Sequence, residues 1–247
     1  MSLINEFSLQ LYSLRHEAEK GMEFLLGEVG KVGYTGVEFA GYGGLDAAAM
    51  KKLLDANNLK PVGTHVGIER LNAALDEELA FNKAIGTEYI VVPYYKMDSE
   101  AAVKQAADNF IALAPKIREA GFGFAYHNHA HEFTKPEGRY LMDALCAMVP
   151  ADLMDIELDI YWAAYADADY LTWMKGLGGR VKLLHIKQIK DYESRKCVDL
   201  DEGVIDFKEI ITEGLGLGVK HFILEQEEFE VSPFVSIKKG CDYIYSL

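Results

Sequence analysis

Eight short apolar runs alternate with longer segments of helical periodicity along this chain of 247 residues. Each run and the segment after it take roughly 30 residues, the size of one βα unit with its loops. Runs such as 182–186 (KLLHI) and 222–225 (FILE) are almost continuously apolar, which is typical of strands buried on both faces. The repeated order therefore predicts an α/β fold, a single (β/α)₈ or TIM barrel domain spanning residues 1–247.

The element boundaries follow from the apolar periodicity and from the residues that start and stop helices. Ser99 is a good N-cap, and Gly33, Gly86 and Gly121 each follow the end of a helical pattern. The predicted strands are 7–14, 36–40, 61–66, 89–95, 123–129, 154–162, 181–187 and 221–226. The predicted helices are 17–32, 45–57, 75–85, 99–120, 139–148, 169–177, 207–213 and 233–245. A doubly wound sheet is the alternative, but no glycine-rich dinucleotide loop follows the first strand.

Charge and cysteine content limit the partners of the chain. A formal net charge of −14 argues against non-specific binding to nucleic acid or to an anionic membrane surface. We find no signal-peptide pattern and no apolar stretch long enough to cross a bilayer. Cys146, Cys197 and Cys241 are widely spaced and odd in number, so we expect buried, reduced thiols in a cytoplasmic protein. Homo-oligomer formation stays open.

Polar side chains gather where the predicted strands end, which is where TIM barrels carry their chemistry. Each of these residues alone is most simply a hydrogen-bonded structural side chain, but together they would face one rim of the barrel. Carboxylates combined with imidazole suit one divalent ion such as Mn²⁺, Mg²⁺, Co²⁺ or Zn²⁺. The residues are Gln10, Glu38, His65, His127, Asn128, His129, Asp159, His185, Lys187 and Glu225.

Several motifs resemble the sugar phosphate isomerase/epimerase family, within the xylose isomerase-like superfamily of TIM barrels. The similarity runs over nearly the whole chain, with the motifs in the same order. It rests on their combination, because any one of them alone would be weak. They are QLYS at 10–13, GVEF at 36–39, YHNH at 126–129 with EF at 132–133, LDIYW at 158–162, HIK at 185–187 and GVIDF at 203–207.

The resemblance implies a metal site built from an acidic residue of strand five, an Asp, a His and a Glu. Asp159, His185 and Glu225 match the last three. Strand five departs from the family, because His127 stands where the epimerases place a Glu and the nearest carboxylate is Glu132. Either residue could complete the site. We favour Glu132, since a short loop can fold it back over the rim.

The resemblance also implies the roles of the remaining residues. Glu225 is the expected catalytic base, with Glu132 or His127 on the opposite side of the substrate. The expected substrate contacts are His65, His127, His129, Trp162, Lys187 and Glu38. For Trp162, filling the barrel mouth is an equally simple interpretation.

The implied activity is metal-dependent isomerisation or epimerisation of a sugar, sugar phosphate or keto-polyol. Proton abstraction beside a carbonyl would pass through an enediolate. An inosose-type dehydratase, which is a lyase, shares this first step and is the alternative. A non-catalytic sugar-binding barrel is less favoured. So is a DNA-repair enzyme like endonuclease IV, because the charge of −14 opposes DNA binding.

Overall fold

Eight parallel strands close into a barrel in the computed structural model, which describes residues 2–247. Each strand pairs with its neighbours in sequence, and the first strand pairs with the last, with Ser8 opposite Ile223. The strands are β1 (Ser8–Gln10), β2 (Gly36–Phe39), β3 (Lys60–His65), β4 (Tyr89–Val92), β5 (Gly123–His127), β6 (Asp155–Asp159), β7 (Val181–Ile186) and β8 (His221–Leu224). The predicted TIM barrel is confirmed.

Helices follow every strand and pack around the barrel. They are α1 (Met22–Val32), α2 (Ala47–Ala56), α3 (Ile68–Ile85), α4 (Glu100–Glu119), α5 (Leu141–Met148), α6 (Ile160–Tyr165), α7 (Tyr170–Gly176), α8 (Phe207–Leu217) and α9 (Pro233–Ser246). Two 3₁₀ helices cover Leu11–Lys20 and His131–Phe133, and Gln188–Ile189 pairs antiparallel with Cys197–Val198. Within residues 2–247, no helix is both long enough and apolar enough to span a bilayer.

The barrel interior sets the direction of the functional side chains. A small apolar cluster, separate from the larger core, includes Ala125, Leu183 and Ile223. Side chains two residues apart on a strand point to the same side. Two positions after these residues come His127, His185 and Glu225. Their side chains therefore also point into the barrel, at its carboxyl end.

Three predicted elements have different limits because a side chain or a glycine redirects the backbone. β1 stops at Gln10, whose side chain accepts a hydrogen bond from the Tyr12 backbone N–H and caps the 3₁₀ helix. β6 stops at Asp159, whose Oδ1 accepts from the backbone N–H of Trp162 at 2.9 Å and begins α6. The predicted helix 17–32 is divided at Gly21, where φ is +82° and only glycine is comfortable.

Candidate metal centre and substrate pocket

Four buried side chains meet at the carboxyl end of the barrel. His127, Asp159, His185 and Glu225 each offer one ligand atom, and these atoms all lie within 4.8 Å of one another. They come from the ends of β5, β6 and β7 and from the residue after β8, which are consecutive around the barrel. A rigid sheet thus holds two imidazoles and two carboxylates around one point.

Carboxylates lie beside both histidines of the cluster. Nδ1 of His185 lies 3.2 Å from Oε2 of Glu225, while its Nε2 lies 2.8 Å from Oε2 of Glu38. Nδ1 of His127 lies 3.1 Å from Oε2 of Glu157, which leaves Nε2 as its other nitrogen. Metal-binding histidines usually hold a carboxylate with the nitrogen that does not bind the metal. Glu38 provides that support for His185, and Glu157 lies within reach of His127 without forming a well-aligned hydrogen bond.

Glu38 and Glu157 form a carboxylate layer behind the cluster, and sequence analysis missed Glu157. Both side chains are fully buried, and His65 Nε2 lies 2.7 Å from Glu157 and 3.2 Å from Glu38. Glu38 also accepts from the Gln10 amide, and it does not line the pocket, in contrast to the substrate contact predicted for it. The alternation Asp155-Ile-Glu-Leu-Asp159 would have found Glu157, because it places Glu157 on the same side as Asp159.

A glycine makes room for this layer. A Cβ atom at Gly63 on β3 would clash with Oε1 of Glu38, a residue of the neighbouring strand β2. The absence of a side chain on β3 therefore allows the Glu38 carboxylate to reach His185 and His65.

Burial and neighbouring charge divide the histidines into two kinds. Burial lowers the pKa of His127 well below its usual value and that of His129 to about 4, so both rings are neutral. Burial also opposes protonation of His65, but the charges of Glu38 and Glu157 outweigh it and raise the pKa to about 10. Neutral imidazole is the form that binds metals, and His127 is already in that form.

The donor set fits a divalent cation. Oδ2 of Asp159 is buried and has no hydrogen-bond partner among the described residues, while Oδ1 caps α6. An unpaired buried carboxylate oxygen is costly unless a cation or a donor meets it. Two carboxylates and two imidazoles, without a thiolate, suit a borderline-hard ion such as Mn²⁺, Co²⁺ or Zn²⁺.

The structure does not bring Glu132 to this cluster. Its side chain is fully buried, with one oxygen bonded to the Tyr126 hydroxyl and the other accepting from the backbone N–H of His129 at 2.9 Å. Nδ1 of His131 lies 3.2 Å from the same carboxylate. Glu132 thus holds the turn after β5, and His127 is the strand-five residue that lies among the other three ligands.

A cavity of about 440 Å³ borders the cluster and opens at the carboxyl end of the barrel. Four of the predicted substrate contacts line it, and Tyr12, Tyr94 and Glu227 are lining residues that sequence analysis missed. Its walls are Tyr12, Ala40, His65, Pro93, Tyr94, His127, His129, Trp162, Glu225 and Glu227. Glu227 could have been predicted from the sequence, because it lies two residues after Glu225.

Lys187, also predicted as a substrate contact, lies behind the wall of the cavity. Its side chain is only 1% exposed and forms ion pairs with Glu227 and, at 3.7 Å, with Glu225. Its Nζ also lies 4.8 Å from the ring centroids of both Tyr161 and Trp162. Lys187 therefore supplies a fixed positive charge next to Glu225.

Comparison with known proteins decides the family. The sequence model of the xylose isomerase-like TIM barrel family matches residues 26–247. The chain belongs to this family. The resemblance inferred from the motifs is thereby confirmed, and other members of known structure share its fold.

Two solved structures from Parabacteroides distasonis ATCC 8503, each a sugar phosphate isomerase/epimerase, are similar to this xylose isomerase-like barrel. One has a TM-score of 0.84 and 23% identity, covering 96% of this chain and 92% of the other. The second has a TM-score of 0.83 and 25% identity, covering 97% of each chain. The zinc-bound IolI protein has a TM-score of 0.74 and 13% identity, covering 98% of each chain, a likeness of fold alone. No curated protein matches the sequence.

Proposed function

We propose that this chain is a divalent-metal-dependent isomerase or epimerase of ketoses or keto-polyols. The observation that carries the proposal is the convergence of His127, Asp159, His185 and Glu225 within 4.8 Å beside an open polar and aromatic cavity. IolI, which has the same fold, binds zinc, and the two Parabacteroides proteins are isomerase/epimerases by name. A single ion at this cluster, Mn²⁺, Mg²⁺, Co²⁺ or Zn²⁺, would supply Lewis-acid polarisation of the substrate carbonyl.

Glu225 is the residue to which we assign proton abstraction. It lines the cavity, and burial alone would raise its pKa. The charge of Lys187 and the hydrogen bond with His185 outweigh burial and hold the pKa of Glu225 well below its usual value, so it is ionised at neutral pH. It can take a proton from the carbon beside the carbonyl, giving an enediolate. Return of that proton by Glu225 to the neighbouring carbon, together with transfer of a hydroxyl proton between the two oxygens, isomerises the sugar. Epimerisation additionally needs a proton delivered to the opposite face of the enediolate, from solvent or from a second group.

The other cavity residues bind and orient the sugar. The neutral ring of His129, whose Nδ1 is buried without a partner, can exchange a hydrogen bond with a hydroxyl group. Trp162 presents an aromatic face, which suits the C–H face of a sugar ring. Glu132 lies outside the cavity lining, so we assign proton transfer to Glu225 and not to a pair of glutamates.

Metal content tests the site. Purified protein should hold about one divalent ion per chain by elemental analysis, and Asp159→Ala and His185→Ala should each lose it. His16→Ala is the matched control, because His16 is an exposed histidine that does not line the cavity, and its replacement should leave metal content unchanged. Full metal content in both Asp159→Ala and His185→Ala would refute the site.

Hydrogen exchange tests the chemistry. Metal-loaded protein in deuterated water should exchange the α-hydrogen of a ketose substrate, and protein treated with a chelator should not. Mass analysis of the product separates an isomer or epimer, which keeps its formula, from the dehydratase product, which loses water. Metal binding without exchange on any ketose or inosose would instead indicate a sugar-binding barrel.

A further inference from the structure

We infer that the pocket accepts an uncharged sugar and discriminates against sugar phosphates. This inference rests on the proposed function, since it names the class of sugar that the same site would accept. It contrasts with the names of the two Parabacteroides relatives. The argument depends on the charges that surround the cavity.

The loop after β8 is acidic where TIM barrels often bind phosphate. Their phosphate sites are frequently formed by the loops after strands seven and eight together with a helix N-terminus. Here the sequence from 225 to 230 is EQEEFE, which places four carboxylates in six residues. Glu225 and Glu227 both line the cavity. A phosphate dianion held at this position would meet like charge at close range.

The first two side chains after β7, those of Lys187 and Gln188, have no donor free for a phosphate. The ammonium group of Lys187 is paired with Glu227 and Glu225 and lies against two aromatic faces. A phosphate that drew Lys187 away would leave Glu227 as an unpaired anion beside it. The next side chain, Gln188, donates to the carbonyl groups of Leu200 and Ile205 and accepts from two backbone N–H groups.

No lysine or arginine is among the ten cavity-lining residues in the described part of the chain. The guanidinium group of Arg15, on the 3₁₀ helix after β1, is already bonded to the carbonyl oxygens of Tyr12 and Glu227 and stacks 4.5 Å from the Tyr12 ring centroid. His65 lies 2.7 Å from the carboxylate of Glu157. Lys187, Arg15 and His65 are therefore each committed to partners within this chain.

The remaining wall is suited to a neutral ring. Tyr12 and Tyr94 are large side chains that stay 44% and 51% exposed at the cavity. With Trp162 they present apolar faces that pack against the C–H faces of a sugar, and their polar tips can bond hydroxyl groups. Recognition through aromatic faces and hydroxyl hydrogen bonds needs no negative charge on the ligand.

The test compares free sugars with their phosphates in the α-hydrogen exchange assay. The matched pairs are fructose with fructose 6-phosphate, tagatose with tagatose 6-phosphate, and xylulose with xylulose 5-phosphate. We expect kcat/KM to favour the best free sugar over its phosphate by about 10-fold or more, from like-charge repulsion at Glu227 and from the lack of a lining lysine or arginine that would offset it. Glu225, as a ligand of the proposed cation, adds no free charge to this repulsion. Added salt should narrow the difference, because it screens the charges.

Two variants locate the cause. Glu227→Gln removes one lining carboxylate and should reduce the preference for the free sugar several-fold. Glu228→Gln removes the same charge from an exposed neighbour that does not line the cavity, and should leave the preference unchanged. An equal effect of both variants would contradict the assignment to the pocket.

The two proposals fail in different ways. If the wild-type protein exchanges a phosphate as well as or better than its free sugar, the inference is wrong and the proposed function stands. If the metal-loaded protein exchanges neither member of any pair, the proposed function fails and this inference fails with it.

Discussion

Asp159 and Glu225 are neighbouring carboxylates in different electrostatic surroundings. Burial raises the pKa of Asp159 to about 7, although the charge of Lys187 opposes the rise. For Glu225 the charge of Lys187 and the hydrogen bond with His185 overcome burial and hold the pKa low. A cation between them would favour the ionised form of both. Asp159 is thus a proposed ligand that needs a cation to be ionised, whereas Glu225 is a proposed base that is already ionised.

Glu225→Gln should reduce kcat by about 10²-fold or more, because it keeps the side-chain shape and removes the general base. Circular dichroism should show an unchanged fold. Glu228→Gln serves as the control, since it changes the same charge on an exposed residue. Near-normal turnover in Glu225→Gln would place the proton transfer on another strand.

His127→Ala and Glu132→Gln should separate the two candidates for the strand-five ligand. His127 lies among the other ligands, whereas both oxygens of Glu132 are occupied by Tyr126 and the His129 backbone. We expect His127→Ala to weaken metal affinity at least tenfold, because substitutions around a metal site typically weaken binding by that factor or more. Glu132→Gln should retain the metal. Titration with Zn²⁺ or Mn²⁺ measures both. Loss of metal only in Glu132→Gln would restore the ligand favoured from the sequence.

Strand-end position gave ten candidate residues, and the family resemblance selected Asp159, His185 and Glu225 among them. The choice between His127 and Glu132 depended on the path of a short turn, which the sequence pattern does not determine. Glu157 was missed because it lies within β6, one pleat before the strand end. Period-two alternation carries that information, but it becomes visible only once the inward-facing side of the strand is known.

At the scale of elements, the ends of β5 and β6 are joined by the amide of Asn128. Its Oδ1 accepts from the backbone N–H of Asp159 at 3.0 Å, and its Nδ2 donates to the backbone carbonyl of Asp159 at 3.2 Å. The side chain therefore continues the pairing of two strands past the point where the ladder ends. It fixes the backbone of a proposed metal ligand.

Asn128→Ala should lower the free energy of unfolding by about 1–3 kcal/mol, because it leaves buried backbone groups unpaired. It should also weaken metal binding, because the backbone of Asp159 would no longer be held in place. Denaturant unfolding and metal titration measure the two effects. Asn109→Ala, at a half-buried position of α4 far from the cluster in sequence, is the control and should change neither by a comparable amount.

Strand and helix order was predictable because the alternation of apolar runs repeats eight times. The errors lie at the ends of elements, where a single side chain can determine where a strand or helix stops. Gln10 and Asp159 each cap the helix that follows, so β1 and β6 end earlier than their apolar runs. The helix α3 is instead longer than predicted. It begins at Ile68 and is distorted at Ala74, whereas the amphipathic pattern predicted a helix only over 75–85.

At the scale of the whole molecule, the acidic charge should exclude DNA. With a net charge of −14, the protein should not be retained by duplex DNA at physiological salt. A gel-shift assay and incubation with an abasic-site duplex test this with metal-loaded protein. Cleavage of that duplex would promote the endonuclease alternative.

The three thiols should be unreactive in the folded protein. Cys197 and Cys241 are buried as expected, while Cys146 is half-buried. Burial raises the pKa of Cys146 to about 11 and that of Cys241 to about 12, and also raises that of Cys197, so all three stay protonated at neutral pH. Mass analysis after iodoacetamide treatment should show little labelling until guanidinium unfolds the chain. Rapid modification of native protein at pH 7 would contradict this.

The pairing of β1 with β8 has a consequence for the folding kinetics. It joins residues more than 200 positions apart, and the proposed ligands come from the last four strands to be synthesised. Such long-range contacts are among the slowest to form in a folding chain. Catalytic competence should therefore appear in the last kinetic phase of refolding, after most helical signal has returned. A nascent chain that lacks β8 would be unable to turn over sugars, however much of its helical structure had already formed.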